Sequence, residues 1–402
     1  MRWIIALLLF PTLFFASSFQ NSPSDRFQFG ILWNQIKPLD LEDSLQDLIQ
    51  QRRTEIKKQK EFWRPFTQTI FENNQEFFLD FSLAIQKGSV SLSQEGSGSA
   101  YLVYDALYQP CFVVKPTDED IFCLHNSKHF GSPLIEPQNR ARKDIPLYLT
   151  AQTEALCYEI AKLAQLEHIL PKTLLSLISL PQFFDISDRF ECADKSPIDR
   201  EKLCSVQKYL SETLSLKDLL NHLFLNDFDD EKIQKSFDQE NFAEANLFVW
   251  LTYDNDAHPS NFRACLKKIS AEGHPIYGLQ KIDNGLSFPL QNSGFFNALM
   301  YFPNAKEELS SKIRFLIKNL PLEEMKKAIE QLGLSPSINA FEERIYLLTE
   351  LAEKENITYY ECNLRLILLE KKKLLRTLHE MSIEELESLA IEEISKFIPL
   401  DF

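Results

Sequence analysis

Asp256-Ala-His-Pro-Ser-Asn261, followed roughly twenty residues later by Ile282-Asp-Asn-Gly285, is the stretch on which the reading of this chain turns. An acid, an amide five positions on and a second acid beyond a short hairpin make a carboxylate–amide–carboxylate set. Such a set handles the phosphates of ATP: one acid orients an attacking hydroxyl, while the amide and the second acid hold Mg²⁺. If Asp256, Asn261 and Asp283 converge, the chemistry they point to is phosphoryl transfer.

The flanking sequence is consistent with convergence. Phe242 to Trp250 reads as an apolar helix that ends at Thr252-Tyr253-Asp254-Asn255. Phe262 to Ile269 and Pro275 to Ile282 read as two strands of a hairpin around Glu272-Gly273, which would bring Asp283 back beside Asn261. Asp254 is a rival for the base, but only Asp256 has the five-residue spacing to Asn261. Pro259 stiffens the loop. His258 is assigned with Asp256 to the catalytic set; it either holds the loop by hydrogen bonds or touches the transferring phosphate.

Upstream lie residues suited to a nucleotide. Gly96-Ser97-Gly98-Ser99 is the one dense Gly cluster in a chain with only 10 Gly, and the apolar run Ala100 to Tyr104 follows it. A small-residue turn between strands lets backbone N–H groups approach phosphates closely. The next strand, Cys111-Phe-Val-Val-Lys115, ends in a lysine able to reach the same phosphates and is stopped by Pro116. An acidic partner for Lys115 is expected on the helix Thr150 to Gln165, which offers Glu154 and Glu159. These lie about 140° apart around a helix, so only one can face the lysine. Glu154 sits at the edge of the apolar face and is preferred; Glu159 falls beside Lys162 on the wet face. Leu180 to Phe184 and Ser205 to Leu210 read as strands, and the second places Tyr209 and Leu210 at an adenine-binding hinge by their order in the chain.

The 402 residues suffice for two lobes, and strands followed by many helices suggest an α+β protein with two unequal lobes. Residues 19–85 read as a helical extension, 86–210 as an N-terminal lobe, 211–320 as the core of a C-terminal lobe, and 321–402 as its helical remainder. The C-terminal helices are expected at Glu307–Asn319, Pro321–Leu332, Asn339–Glu353, Tyr359–Glu380 and Ser382–Phe397. A net charge of −15 argues against nucleic acid as a partner and against broad adhesion to anionic membrane. No Cys or His grouping has zinc spacing, and a Cys192–Cys204 disulfide is one open pairing. Residues 1–18 carry Arg2, an apolar run and then Ala16-Ser17-Ser18, the layout of a secretory signal peptide. Export is therefore expected.

With Val113-Val-Lys-Pro116 and Ile282-Asp-Asn-Gly-Leu-Ser-Phe-Pro-Leu290 on the page, the chain resembles the phosphatidylinositol 3-/4-kinase superfamily, most closely type II phosphatidylinositol 4-kinases. The Ile282–Leu290 run is the most specific part, its Phe-Pro-Leu tail being a type II trait, and Pro303-Asn-Ala-Lys306 is similar to the family's following segment. The resemblance covers about residues 90–320. It implies a bilobal protein-kinase-like fold, with ATP and Mg²⁺ as cofactors. It also implies roles: Gly96 to Ser99 and Lys115 on the phosphates, Asp256 on the acceptor hydroxyl, Asn261 and Asp283 on Mg²⁺. The implied acceptor is phosphatidylinositol, reached through transient membrane contact.

The chain departs from the family in three places. Ala257 stands where the family carries Arg, the palmitoylated Cys-rich stretch is replaced by one containing Arg140-Ala-Arg-Lys143, and no Lys or Arg lies between Asp283 and Lys306. A polyphosphorylated inositide is thus a poor acceptor, and three readings stand: a phosphatidylinositol kinase, a kinase for a protein or small-molecule hydroxyl, and a pseudokinase serving as a binding module. The run Phe295, Phe296, Tyr301 and Phe302 either enters a bilayer or packs the loop after Asp283. Because ATP is scarce outside cells, an exported kinase suggests an effector acting inside a host cell.

Overall fold

Aromatic side chains on two N-terminal helices decide how the first sheet is covered. The computed structural model describes residues 38–94, 96, 98–120, 123, 126–128, 148–185, 200–226, 228–369 and 381–397. Residues 1–18, Ser97, Arg140–Lys143 and Cys192 lie outside them. The described chain forms two units. One takes in the residues up to Lys128 together with Thr173–Tyr209; the other takes in Tyr148–Lys172 and everything from Leu210 onward. The chain has the expected α+β architecture, with a β-rich unit and a larger helical unit.

In the β-rich unit, α1 (Pro38–Asn73) and α2 (Gln75–Lys87) precede β1 (Ser89–Leu92), β2 (Tyr101–Tyr104) and β3 (Pro110–Pro116). β4 (Thr173–Ser179) and β5 (Glu201–Lys208) complete an antiparallel sheet of order β1-β2-β3-β5-β4. Strand alternation divides β3 cleanly. Phe112 and Val114 join Phe77, Phe78 and Phe81 of α2 in the core, with Cys111 packed at its margin, whereas Val113 and Lys115 alternate away from it. The aromatic-rich stretch before residue 85 is thus the cover of the sheet. Leu180–Phe184 is not a strand: β4 ends one residue earlier, because Pro181 cannot donate to a ladder, and Leu180 and Phe183 drop into the core instead. Cys204 is a buried free thiol.

A charged cluster closes one end of this sheet. Lys202 donates to Glu119 at 2.8 Å and to the Phe184 carbonyl at 2.7 Å, and pairs with Asp118 at 2.9 Å. Tyr101 donates its hydroxyl to Glu119 at 2.6 Å. Two buried carboxylates share one ammonium, and burial pushes the Glu119 carboxyl up to about 7.

The helical unit holds α3 (Thr150–Leu163), then β6 (Thr213–Ser215), α4 (Leu216–Leu225), α5 (Asp230–Lys235) and α6 (Gln239–Thr252). The hairpin β7 (Phe262–Ile269) and β8 (Pro275–Lys281) follows, giving a second sheet of order β6-β7-β8. The C-terminal helices are α7 (Ser311–Lys318), α8 (Leu322–Gln331), α9 (Ile338–Glu353), α10 (Tyr359–Ile367) and α11 (Ile383–Phe397). α7 starts later than expected because Ser310 caps it through the Ile313 amide, while Glu308 bridges to Thr358 in extended form. α10 stops at Ile367 rather than Glu380, and residues 370–380 lie outside the described chain. Among the described residues no helix is long and apolar enough to cross a membrane.

Two outcomes follow for the β-rich unit. Phe112→Ala, which empties a position packed edge-on to Phe77 and Phe81, should cost about 3–5 kcal/mol in urea denaturation. Glu119 titrates near 4.5 in the unfolded chain, so between 4.5 and about 7 the folded chain keeps a proton the unfolded chain has lost. Its contribution is full below 4.5 and is lost as pH rises through 7. The stability difference between wild type and Glu119→Gln should fall across that window and be flat outside it.

Candidate phosphotransfer site

The helix α6 delivers the Asp256–Asn261 loop by ending on a left-handed residue. Tyr253 caps it at φ 50°, fully buried, with its hydroxyl donating to the Leu366 carbonyl at 2.9 Å. The chain then turns sharply into Asp254-Asn-Asp256. Asp256 accepts from Asn261 twice, through its carbonyl at 2.8 Å and its carboxylate at 3.1 Å. The Ile282 amide donates to the Asn261 carbonyl at 2.9 Å, which sets Asp283 beside the loop. Asp256, Asn261 and Asp283 are thus gathered within one unit, as the spacing and the hairpin predict.

His258 serves the loop from inside. The Ser260 amide donates to its Nδ1 at 3.2 Å, so in the neutral ring the proton sits on Nε2. That nitrogen lies 3.7 Å from the Asp256 carboxylate. Enclosure by the loop holds the His258 pKa below the ordinary value, favouring this neutral form. Ala257 is fully buried and bridges to Asn297, whose following amide, on Ala298, donates to the Ala257 carbonyl at 2.9 Å. The small side chain therefore fits a closed position.

The rival acid Asp254 has another task. It is buried against Lys281 at 2.6 Å, with neither side chain exposed, and its Oδ1 accepts the Asp256 amide at 2.8 Å. Burial pushes its carboxyl upward against the pull of Lys281. Lys281 also donates to the carbonyls of Ile282 at 2.8 Å and Asp283 at 3.3 Å. Sequence reasoning missed Lys281, yet a signal was present. Alternation along β8 puts Lys281 on the face of buried Leu279, and a lysine on an apolar strand face demands a buried partner.

The segment beyond Asp283 is held in strained backbone. Asp283 itself has φ 57° and Phe288 has φ 54°. The Phe288 amide donates to Thr252 at 2.8 Å and its carbonyl accepts from Ser337 at 2.8 Å. Its ring packs with Tyr253 and Phe341 around Arg344, which is fully buried and bonded to Asn292 and the Leu251 carbonyl. Burial lowers the Arg344 pKa to about 9. Gly285 lies against α3, where a Cβ would make ordinary contact, 3.4 Å from Thr150 and 3.9 Å from Glu154. Phe295 and Phe302 are buried, so these two pack the loop rather than reach for a bilayer.

The nucleotide-side expectations fall as follows. Glu154 is buried in α3, whereas Glu159 pairs with Lys162 at 3.0 Å on the surface, the inside–outside order read from the helix projection. Lys115 belongs to the β-rich unit and Glu154 to the helical one. Gly96 accepts from Lys128 at 3.1 Å, and the Ser99 amide donates to the Glu119 carbonyl at 3.0 Å. A Cβ on Gly98 would stand 2.6 Å from the Asp120 carboxylate, so a side chain there would have to displace Asp120. The Gly96–Ser99 turn is thus pinned to the turn that follows β3, a tie the sequence did not announce. The Tyr209 amide is spent on the Cys111 carbonyl at 2.9 Å, which removes it as a hinge donor, and Leu210 accepts from Thr213 at 3.1 Å through its carbonyl.

The donor set suits Mg²⁺. Asn261 commits its amide nitrogen to Asp256, leaving the carbonyl oxygen as the end to face a cation, and Asp283 adds a carboxylate. Mg²⁺ takes hard oxygen ligands and is commonly held by one or two carboxylates together with substrate phosphates.

No protein-family model matches the chain, and no curated protein matches it in sequence. Among solved structures it is similar to the Golgi casein kinase, with a TM-score of 0.38 and 10% identity over 65% of this chain and 71% of that one. A second structure of the Golgi casein kinase, with Mn/ADP bound, gives 0.35 and 12% over 75% and 78%.

Lys281→Met leaves Asp254 buried without its cation. It should destabilise the chain by about 3–5 kcal/mol in chemical denaturation, far more than a surface lysine substitution.

Proposed function

We propose that this chain is an ATP- and Mg²⁺-dependent phosphotransferase with a hydroxyl acceptor, and that the acceptor is phosphatidylinositol. The observation that carries the proposal is the hydrogen bond from the Ile282 amide to the Asn261 carbonyl, at 2.9 Å, which joins the loop of Asp256 to the segment of Asp283. In this reading Asp256 orients the acceptor hydroxyl and takes its proton, and His258, with its proton on Nε2, steadies the Asp256 carboxylate. Asn261 and Asp283 hold Mg²⁺, which when bound supplies charge neutralisation to the phosphate oxygens. Lys115, Gly96 and Ser99 are the residues proposed to meet the phosphates.

The lipid acceptor is supported by the Leu286-Ser-Phe-Pro-Leu290 tail, in which Phe288 is structurally committed. A second reading, transfer to a protein or small-molecule hydroxyl, is favoured by the burial of Phe295 and Phe302 and by the lack of any Lys or Arg between Asp283 and Lys306.

Labelled ATP with Mg²⁺ should be offered in parallel to phosphatidylinositol liposomes and to a generic protein acceptor. Labelled lipid is expected, with a loss of roughly 100-fold or more in Asp256→Asn. Lipid labelling that persists in Asp283→Ala would sink the site assignment, and label only in protein would move the acceptor to the second reading.

A further inference from the structure

We infer that Lys281 is the positioning residue of this site, fixing the catalytic loop and the Asp283 segment at one spacing. The inference rests on the phosphotransferase reading above and adds a residue to it.

An ammonium has three donors and no acceptor. Lys281 has three oxygen partners: the Asp254 carboxylate at 2.6 Å and the carbonyls of Ile282 at 2.8 Å and Asp283 at 3.3 Å. The first lies in the loop that carries Asp256, and the other two lie in the segment that carries Asp283. With no exposed side-chain surface, the lysine is not aimed at a ligand. A phosphate-binding role is thereby excluded, and what remains is a tie between the two halves of the site.

The tie acts on both reacting elements. On the loop side, Asp254 Oδ1 takes the Asp256 amide at 2.8 Å, so the lysine holds Asp256 through a single intermediary. On the other side, its contact with the Asp283 carbonyl secures a left-handed residue at φ 57°, a conformation that a non-glycine keeps only when its surroundings impose it. Backbone bonds also join the segments, from Ile282 to Asn261 and from Asn255 to Leu286. They set the pairing of the strands; the Lys281 side chain sets the depth at which Asp256 and Asp283 sit.

A buried ion pair is a weak source of stability, since an uncharged pair of similar volume often does as well or better. Replacing both partners therefore separates position from stability. In Asp254→Asn/Lys281→Met the fold should survive, with a thermal midpoint near that of wild type. Hydrogen exchange should quicken in 254–261 and 282–286 and stay unchanged in 239–252. The kcat should fall by about 100-fold with KM for ATP nearly constant, and half-saturating Mg²⁺ should rise by about tenfold or more.

A folded double variant with wild-type protection in both segments, or with wild-type kcat and Mg²⁺ requirement, overturns the inference. The exchange measurement needs no turnover. If wild type proves inert toward ATP, the phosphotransferase reading fails while quickened exchange still upholds the tie. Asp254→Asn/Lys281→Leu, a second uncharged pair, is read in the same way, so instability of the first double variant leaves the test intact.

Discussion

A single ion pair with no solvent access, Lys281 to Asp254 at 2.6 Å, sits under everything the site does. Charges are costly to bury, and this pair lies at the one place where the end of α6, the loop after it and the strand before Asp283 meet. Its effect is to convert a sequence separation into a fixed distance. Asp256 and Asn261 arrive from a helix end and Asp283 from a hairpin; the lysine and the Ile282–Asn261 bond hold them in one frame.

Around that frame the backbone is held in left-handed conformations at three non-glycine residues, Tyr253, Asp283 and Phe288. Each is fixed by different neighbours. Tyr253 is anchored by its hydroxyl on Leu366, Asp283 by Lys281, and Phe288 by Thr252, Ser337 and the aromatic ring cluster around Arg344. Conformations that cost energy locally are imposed by packing that the rest of the helical unit provides. The Arg344 guanidinium, surrounded by rings rather than carboxylates, ties Asn292 of the segment after Asp283 to the carbonyl at the end of α6.

Much of this was legible in the sequence, and the limits have physical causes. The hairpin that returns Asp283 to Asn261 was readable because alternation and a Glu-Gly turn specify register locally. The choice of Glu154 over Glu159 as the buried acid followed from helix geometry alone. The strand assigned to Leu180–Phe184 failed because an apolar run with a proline packs equally well as a core-filling turn. Partners far apart in sequence were invisible: nothing local pairs Lys202 with Asp118 and Glu119, or Asp120 with Gly98. Tyr209 was placed by order in the chain, and its amide is consumed by a cross-strand carbonyl that only the folded sheet brings near.

The claim that Asp256, Asn261 and Asp283 form a nucleotide–Mg²⁺ site is tested most directly by calorimetric titration of a non-hydrolysable ATP analogue, with and without Mg²⁺, into wild type and Asp283→Ala. Mg²⁺ should tighten binding to wild type by about tenfold or more, and this gain should disappear in the variant. An analogue that does not bind, or a Mg²⁺ effect of equal size in both proteins, would contradict it.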